Sequence, residues 1–457
     1  MMASLSTPSF RDPAGSLLLE EDRAVRRIHP SARAATLAFI GSTFYQSAVE
    51  SGDMVASEIE ETADGLSLIH PLIDIPTYPW EWTPSQWLAA ATLTIKLCQQ
   101  SLEDGWILKD ATPLNILFVG SRPVLVDVLS FIRRDQNSPI WLAHGQFIRT
   151  FLLPLIMFRL VGWPLELALF KLDGYEPHEI YRSLNWSQRL SQSAFWPISM
   201  PTWFDRKPSP TSLTQVNYRP DSETAQHILN RTLVNLLKRT NRVVRHVPAS
   251  KWSNYQTTLT HYTFEQSEQK RLWVQQALEE FHPTSVLDIG ANTGEYSRLA
   301  ANSGAQVVAL ERDTTAADRL YLSSSVAGLQ IQTIQADLAR PTPPVGWETS
   351  EYAGLLPRLE GNFHLVMMLA VIHHLILMEQ IPLPAILALC HRLTRRQLMI
   401  EWVPAADPMY VSLMRGRDDL YGALTDADLL SASESYFRAI RREVLGNGRI
   451  LFLFEKL

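Results

Sequence analysis

The stretch S-V-L-D-I-G-A-N-T-G-E-Y-S, Ser285 to Ser297, decides how the rest of the chain is read. Its apolar opening, Ser285 to Ile289, stops at a glycine and gives way to polar residues, the pattern of a short buried strand entering a loop. Gly290 and Gly294 let the backbone turn sharply and approach a ligand where a Cβ would clash. Asp288 falls at the carboxyl end of the strand, where open α/β sheets bind their ligands. From Glu295 the residues begin a helix.

Outward from that turn, strands and helices alternate. A helix from Glu265 to Phe281 enters it, and a helix from Glu295 to Ser303 leaves it. A second strand, Gln306 to Leu310, ends in Glu311, a carboxylate placed to accept both ribose hydroxyls of an adenosine-type ligand. A third, Leu329 to Ala336, ends in Asp337. After a proline-rich insertion, Pro341 to Gly361, a fourth strand (Phe363 to Leu369) precedes A-V-I-H-H-L, Ala370 to Leu375. A fifth, Gln397 to Ile400, ends at Glu401. Two further runs, Tyr436 to Leu445 and Arg449 to Glu455, are joined by Gly446-Asn447-Gly448, a hairpin signal. A parallel sheet finished by an antiparallel hairpin, without the third glycine of G-x-G-x-x-G, argues against a dinucleotide dehydrogenase.

D-I-G-A-N-T-G resembles motif I of the class I S-adenosylmethionine (SAM) methyltransferases, with Asn292 where the middle glycine is usual. A-V-I-H-H-L resembles the A-L-H-H-L segment of many small-molecule methyltransferases; His364 stands where an acidic residue is usual. The resemblance implies an α/β, Rossmann-like class I sheet ending in an antiparallel hairpin over residues 269–457. It also implies SAM as cofactor, held by Asp288, Gly290, Asn292, Gly294, Glu311 and Asp337, the last meeting the adenine amino group. His373 or His374 is placed to take a proton from an oxygen acceptor. Tyr262 and Lys270 belong to the region that often roofs the SAM pocket. Asn-Pro-Pro-Tyr is absent and no cysteine lies near the pocket, so the implied acceptor is a small molecule, sugar or lipid rather than nucleic acid.

A second informative stretch, L-K-D-A-T-P-L-N-I-L-F-V-G-S-R-P-V-L-V-D-V-L-S-F, runs from Leu108 to Phe131 after an apolar helix, Ser85 to Leu102. Asp110, Asn115 and Asp127 resemble the Asp-x4-Asn loop and metal-binding Asp of protein kinases and aminoglycoside phosphotransferases. Leu108 replaces the usual histidine, Val128-Leu129 replaces Phe-Gly, and no lysine precedes Lys96 to serve as a strand-borne phosphate ligand. Three readings follow: a structural hairpin, a kinase-like binding or regulatory module beside a methyltransferase-like fold without turnover, or an ATP-dependent phosphotransferase. D-A-T-P-L-N-I-L-F…P-V-L-V-D is also similar to the front half of a bacterial methyltransferase-like group that includes the nodulation protein NoeA. In that group such a segment precedes a SAM domain.

The organisation expected is an α+β domain over residues 1–180 with partial kinase-like features, a connector over 181–268, and a methyltransferase domain over 269–457. The first twenty or so residues are polar and expected to lack order, and Ala32 to Glu61 carries little periodicity. Thr224 to Val247 reads as a helix. Between Glu223 and Glu265 there is no acidic residue, whereas Arg231, Lys238, Arg239, Arg242, Arg245 and Lys251 are basic. That run reads as a solvated face, with contact to an anionic membrane surface as the alternative. The net charge of −6 argues against a nucleic-acid footprint over the whole surface. Two cysteines, Cys98 and Cys390, far apart and without a partner motif, fit a reducing, cytoplasmic setting and no cysteine-based metal site. Thr150 to Phe170, the most apolar run, contains Pro154, Arg159, Pro164 and Glu166 and reads as buried helices rather than a membrane span.

Overall fold

A computed structural model describes residues 11–63, 65–205, 220–244, 262–414 and 424–457. The chain divides into two compact units, residues 1–247 with 344–352, and residues 248–343 with 353–457.

The first unit contains an antiparallel sheet of β1 (Gly15–Leu19), β2 (Arg23–Ile28), β3 (Glu58–Thr62) and β4 (Gly65–Pro71), in the order β1-β2-β4-β3. β1 corrects the expectation that the first twenty residues lack order. Likewise, helices at Arg33–Ile40 and Thr43–Glu50 occupy a stretch whose periodicity was too short to read. α1 (Pro84–Ser101) begins as its sequence dictates: Thr83 accepts from the Gln86 N–H at 3.3 Å, Gln86 Oε1 accepts from the Thr83 N–H at 2.9 Å, and Pro84 follows the cap. Behind it lies the hairpin of β5 (Ile116–Val119) and β6 (Arg122–Leu125). α2 (Ser222–Val244) buries Ala225, Leu229, Leu233, Leu236, Thr240 and Val243, the spacing of one helix face. The segment expected as a connector is thus, as far as Val244, part of the first unit. Arg245, Ser250, Lys251, Trp252, Tyr255 and His261 lie outside the described residues.

Part of the proline-rich insertion also belongs to this unit. Tyr352 packs edge-on against Tyr78 and Trp80, with ring centroids 5.2 and 5.7 Å apart, and Glu351 pairs with Arg11 at 2.7 Å.

The second unit is built on a seven-stranded sheet: β7 (Ser285–Ile289), β8 (Gln306–Glu311), β9 (Ile331–Gln335), β10 (Phe363–Met368), β11 (Thr394–Trp402), β12 (Phe437–Val444) and β13 (Ile450–Lys456). Their order is β9-β8-β7-β10-β11-β13-β12. The first five are parallel, and β13 inserts antiparallel between β11 and β12. This is the class I methyltransferase sheet, closed by the hairpin read at Gly446–Gly448. β11 extends beyond the four residues expected of it because Glu401 and Trp402 pair with β13 and Thr394 pairs with Phe363 of β10. The order reverses between β7 and β10, and such a switch point opens a crevice at the carboxyl ends of the strands.

α3 (Phe264–Phe281) is capped by Thr263 and Gln266 and buries Lys270, Trp273, Val274, Ala277 and Leu278, an i, i+3, i+4, i+7, i+8 stripe. Its inward face therefore carries a lysine among apolar residues. α4 (Glu295–Asn302) and α5 (Thr314–Ala327) follow β7 and β8, and α6 (Ile372–Leu377) follows β10.

Candidate functional site

A cavity of about 550 Å³ opens at the switch point of the second unit. That volume lies within the range of small-ligand sites. Its floor is the first part of the glycine turn, Gly290 to Asn292; Gly294 shapes the turn but does not line the cavity. Gly290 has φ +71° and Gly294 φ +83°; a Cβ on Gly290 would lie 2.3 Å from Val371 Cγ2, and one on Gly294 2.1 Å from Leu320 Cδ1. Asn292 also takes a left-handed conformation, φ +49°. Asparagine tolerates that region better than most side chains, which explains why it can stand where the family has glycine. Its N–H donates to Glu311 Oε2 at 2.7 Å, tying the turn to the end of β8. Asn292 lines the cavity, and its side-chain Oδ1 is buried with no partner among the described residues.

Glu311 accepts a second backbone bond, from the Asp313 N–H to Oε1 at 2.7 Å. Burial raises its pKa despite these bonds, and each oxygen retains a lone pair for a ligand hydroxyl. Asp337 is more engaged than the sequence suggests. Its Oδ2 takes Arg312 at 3.3 Å and Arg340 at 3.2 Å, and its Oδ1 the Ala339 N–H at 2.9 Å. The same arginines bridge to Glu379, so the far end of the cavity is rimmed by two cations and two carboxylates. Asp288 is almost fully buried and accepts from Ser297 Oγ at 2.5 Å. Burial pushes its carboxyl up to about 6, against the opposing pull of Ser297 and Lys270.

The two histidines part company. His374 lines the cavity; His373 does not, being buried at 3% exposure with neither ring nitrogen hydrogen-bonded among the described residues. Burial lowers both, to about 3 for His373 and about 4 for His374. Both are therefore neutral at pH 7. Ala370, just before them on the wall, holds φ +58°, a strained conformation for a residue with a Cβ.

Opposite the turn lies a buried charge network. Lys270 Nζ donates to Glu401 Oε2 at 2.6 Å, while the other Glu401 oxygen takes the Tyr262 hydroxyl and Arg449 Nη1, the latter at 3.2 Å. Arg449 also grips Asp407 through Nε at 2.8 Å and Nη2 at 3.3 Å. Lys270 stands over the Tyr296 ring, 4.6 Å from its centroid. Burial alone would lower Lys270 and raise Glu401; their mutual attraction, joined for Glu401 by Arg449, reverses both, so the pair is ionised. Tyr262 and Lys270 line the cavity, and only one of the three Lys270 N–H donors meets a hydrogen-bond acceptor among the described residues.

The kinase-like trio of the first unit is held differently. Asp127 pairs with Arg26 of β2 at 2.9 Å and accepts from the Leu129 N–H at 3.3 Å and the Ser130 hydroxyl. Asn115 Nδ2 donates to Ser130 Oγ at 2.9 Å and to the Asp110 carbonyl at 3.4 Å. Arg26 is a strand-borne cation, and Asp127 holds it. Among the described residues no group of three or more His, Cys, Asp or Glu side chains is placed to hold a metal. The Arg26–Asp127 pair latches β2 to the segment that follows the hairpin and is mostly buried. Arg26→Met is expected to destabilise the first unit by about 3 kcal/mol by leaving Asp127 without its cation. Denaturant unfolding measures this, and a change under 1 kcal/mol would show that the latch bears little.

No protein-family profile matches the chain. It is 28% identical to nodulation protein NoeA of Rhizobium meliloti (strain 1021) over 465 residues, covering 98% of this chain and 95% of that one. Similar solved structures include the PH0226 protein of Pyrococcus horikoshii OT3, with 12% identity and TM-score 0.32 over 43% of this chain and 94% of that one. A SAM-dependent methyltransferase of Aquifex aeolicus aligns with 15% identity and TM-score 0.28 over 43% and 100%. The bifunctional kinase-methyltransferase WbdD aligns with 18% identity and TM-score 0.29 over 40% and 38%. The strand order itself is that of the class I methyltransferase sheet.

Proposed function

We propose that the second unit binds SAM in this cavity and transfers its methyl group to a small-molecule, sugar or lipid acceptor. The observation that carries the reading is the convergence of Asp288, Gly290, Asn292, Glu311, Asp337 and His374 around one cavity at the switch point of a class I sheet. The unpartnered Asn292 Oδ1 and the buried Asp288 carboxylate suit the ammonium of the cofactor's amino-acid end. The two unused Lys270 donors suit its carboxylate. Glu311 has lone pairs for the ribose hydroxyls, and Asp337 is an acceptor for the adenine amino group once Arg312 or Arg340 yields.

SAM supplies a methyl group already activated by its sulfonium, so the chain's task is alignment and exclusion of water. His374, neutral and on the wall, can accept a proton from an oxygen acceptor. Its depressed pKa gives little driving force at pH 7, which fits an acidic hydroxyl better than an aliphatic one.

Calorimetry with SAM tests the reading. Binding to the wild-type chain is expected, weakened about 10- to 100-fold by Glu311→Gln, because a charge-assisted hydrogen bond contributes about 1.5–3 kcal/mol. Absence of binding, or full affinity in the variant, would remove the assignment. A metabolite screen with methyl-labelled SAM then separates turnover from binding alone. Once an acceptor is found, a His374→Ala enzyme with unchanged kcat would remove that histidine from the reaction.

A further inference from the structure

Several cations of the first unit have carboxylate partners: Arg23 with Glu20, Arg33 with Glu61, Lys96 with Asp53, Arg149 with Glu176 and Lys171 with Glu179. Those clustered along α2 do not. On α2 the exposed stripe runs His227, Arg231, Val234, Asn235, Lys238 and Arg242, and Arg159 reaches the same end by donating to the Arg242 carbonyl at 2.6 Å. Among the described residues none of Arg159, Arg231, Lys238 or Arg242 has a carboxylate partner. Three of the four lie in the acid-free run between Glu223 and Glu265.

Next to this stripe the unit exposes aromatic rings. Arg239 of α2 lies over the Trp196 ring, 4.1 Å from its centroid, so the basic helix and the segment from Phe195 to Phe204 are neighbours. Phe195 and Trp203 meet edge-on at 5.7 Å, each 40% exposed, and Phe204 is 65% exposed. Trp203 donates its indole N–H to the Tyr181 hydroxyl at 3.0 Å, leaving the rest of the ring to the surface. An aromatic body with its polar tip satisfied is suited to a boundary between water and acyl chains. Uncompensated cations beside such rings form the combination that holds a protein on an anionic bilayer.

We propose that α2 and the Phe195–Phe204 segment form a peripheral docking face for an anionic membrane surface. Arg159, Arg231, Lys238 and Arg242 meet the headgroups, and Phe195, Trp203 and Phe204 enter the interface. Phe195 and Trp203 pack edge-on against each other rather than lying as separate platforms for successive bases, which favours an apolar interface over single-stranded nucleic acid. A second copy of the chain would bring like charges together. No described helix is long and apolar enough to cross a membrane, so the contact is with the surface.

The test is co-sedimentation of the full chain with phosphatidylcholine vesicles, and with vesicles in which a third of the lipid is phosphatidylserine. Binding to the anionic vesicles alone is expected, falling steeply as salt is raised. The triple variant Arg231→Glu, Lys238→Glu, Arg242→Glu is expected to bind at least about a hundredfold more weakly, each lost cation removing roughly a fivefold gain. All three side chains are exposed, and unchanged circular dichroism and melting temperature would confirm that the fold is kept. Brominated lipid should quench part of the wild-type fluorescence, and that part should vanish in Trp203→Phe. The proposal is overturned by absence of binding to anionic vesicles at low salt, by equal binding of the triple variant, or by quenching that survives Trp203→Phe. A concentration-dependent dimer or a nucleic-acid shift abolished by the triple variant, without vesicle binding, would overturn it in favour of that partner.

Discussion

Replacing Glu401 with glutamine lowers the stability of the second unit by about 3–5 kcal/mol, the cost of removing one partner from a buried ion pair. For a unit of this size the loss corresponds to a fall in Tm of roughly 10 °C. Glu401 is fully buried and is the hydrogen-bond acceptor of Lys270, whose side chain is 7% exposed. Without that carboxylate, Lys270 either remains as a buried cation or gives up its proton; both cost free energy. Arg449 is less affected, because Asp407 still holds it through two bonds. The asymmetry predicts a recovery: Lys270→Met added to Glu401→Gln regains most of the loss, leaving the Arg449–Asp407 pair balanced. A double-mutant cycle read by thermal melts measures the coupling, and additive losses in the double variant would show that the two residues do not act as a pair. The network also ties α3, which lines the cavity through Lys270, to the end of β11 and the terminal hairpin. The Glu401 variant should therefore lose SAM affinity as well as stability.

In this network Tyr262, Lys270 and Glu401 stand out in the sequence as pocket-roof and strand-end residues, but their joining to one another and to Asp407 and Arg449 does not. The glycine turn, the strands from β7 to β10 and the closing hairpin were readable because each is a local pattern: an apolar run, a breaker, a polar start. The network draws on positions from Tyr262 to Arg449 that share no local pattern and meet only because the sheet order places β13 beside β11. Arg449 looks like an ordinary residue after a Gly-Asn-Gly turn, yet it is fully buried. Arg26 escaped for a related reason. The kinase-like pattern calls for a lysine, whereas β2 delivers an arginine to Asp127 across about a hundred residues of chain. β1 is a short apolar run without alternation and β2 carries three arginines, so period-two reading has little to work with. Asn292 and Ala370 are a further class, in which a non-glycine residue accepts a left-handed backbone beside the cavity. Single-sequence reading counts such positions as departures from a motif, and only backbone angles reveal them as strain retained at a site.

Asp288 carries the second large expected effect, and its sign runs against the first. Burial raises its folded pKa to about 6, whereas an aspartate in an unfolded chain titrates near 3.9. A group raised in this way contributes stability that is fully present below the unfolded pKa and lost as pH rises through the folded one. Above pH 6 the ligand-free chain thus holds an ionised carboxylate at a cost of about 3 kcal/mol relative to the protonated form. Asp288→Asn mimics the protonated form and can still accept from Ser297 Oγ. Without ligand it is expected to raise stability by about 2–3 kcal/mol at pH 7.5, with the gain shrinking between pH 6 and 4 and vanishing below. The same substitution removes the negative charge proposed to meet the cofactor's ammonium, so SAM affinity should fall by about 100-fold. Melting curves from pH 4 to 8 together with calorimetry at pH 7.5 read both effects. A variant without the pH-dependent gain would mean that Asp288 is not held at a cost. A variant that is stabilised yet binds SAM with full affinity would mean that the cost serves some other contact. Stabilisation and loss of binding together would identify Asp288 as a carboxylate kept ionised, against its surroundings, for a cationic ligand.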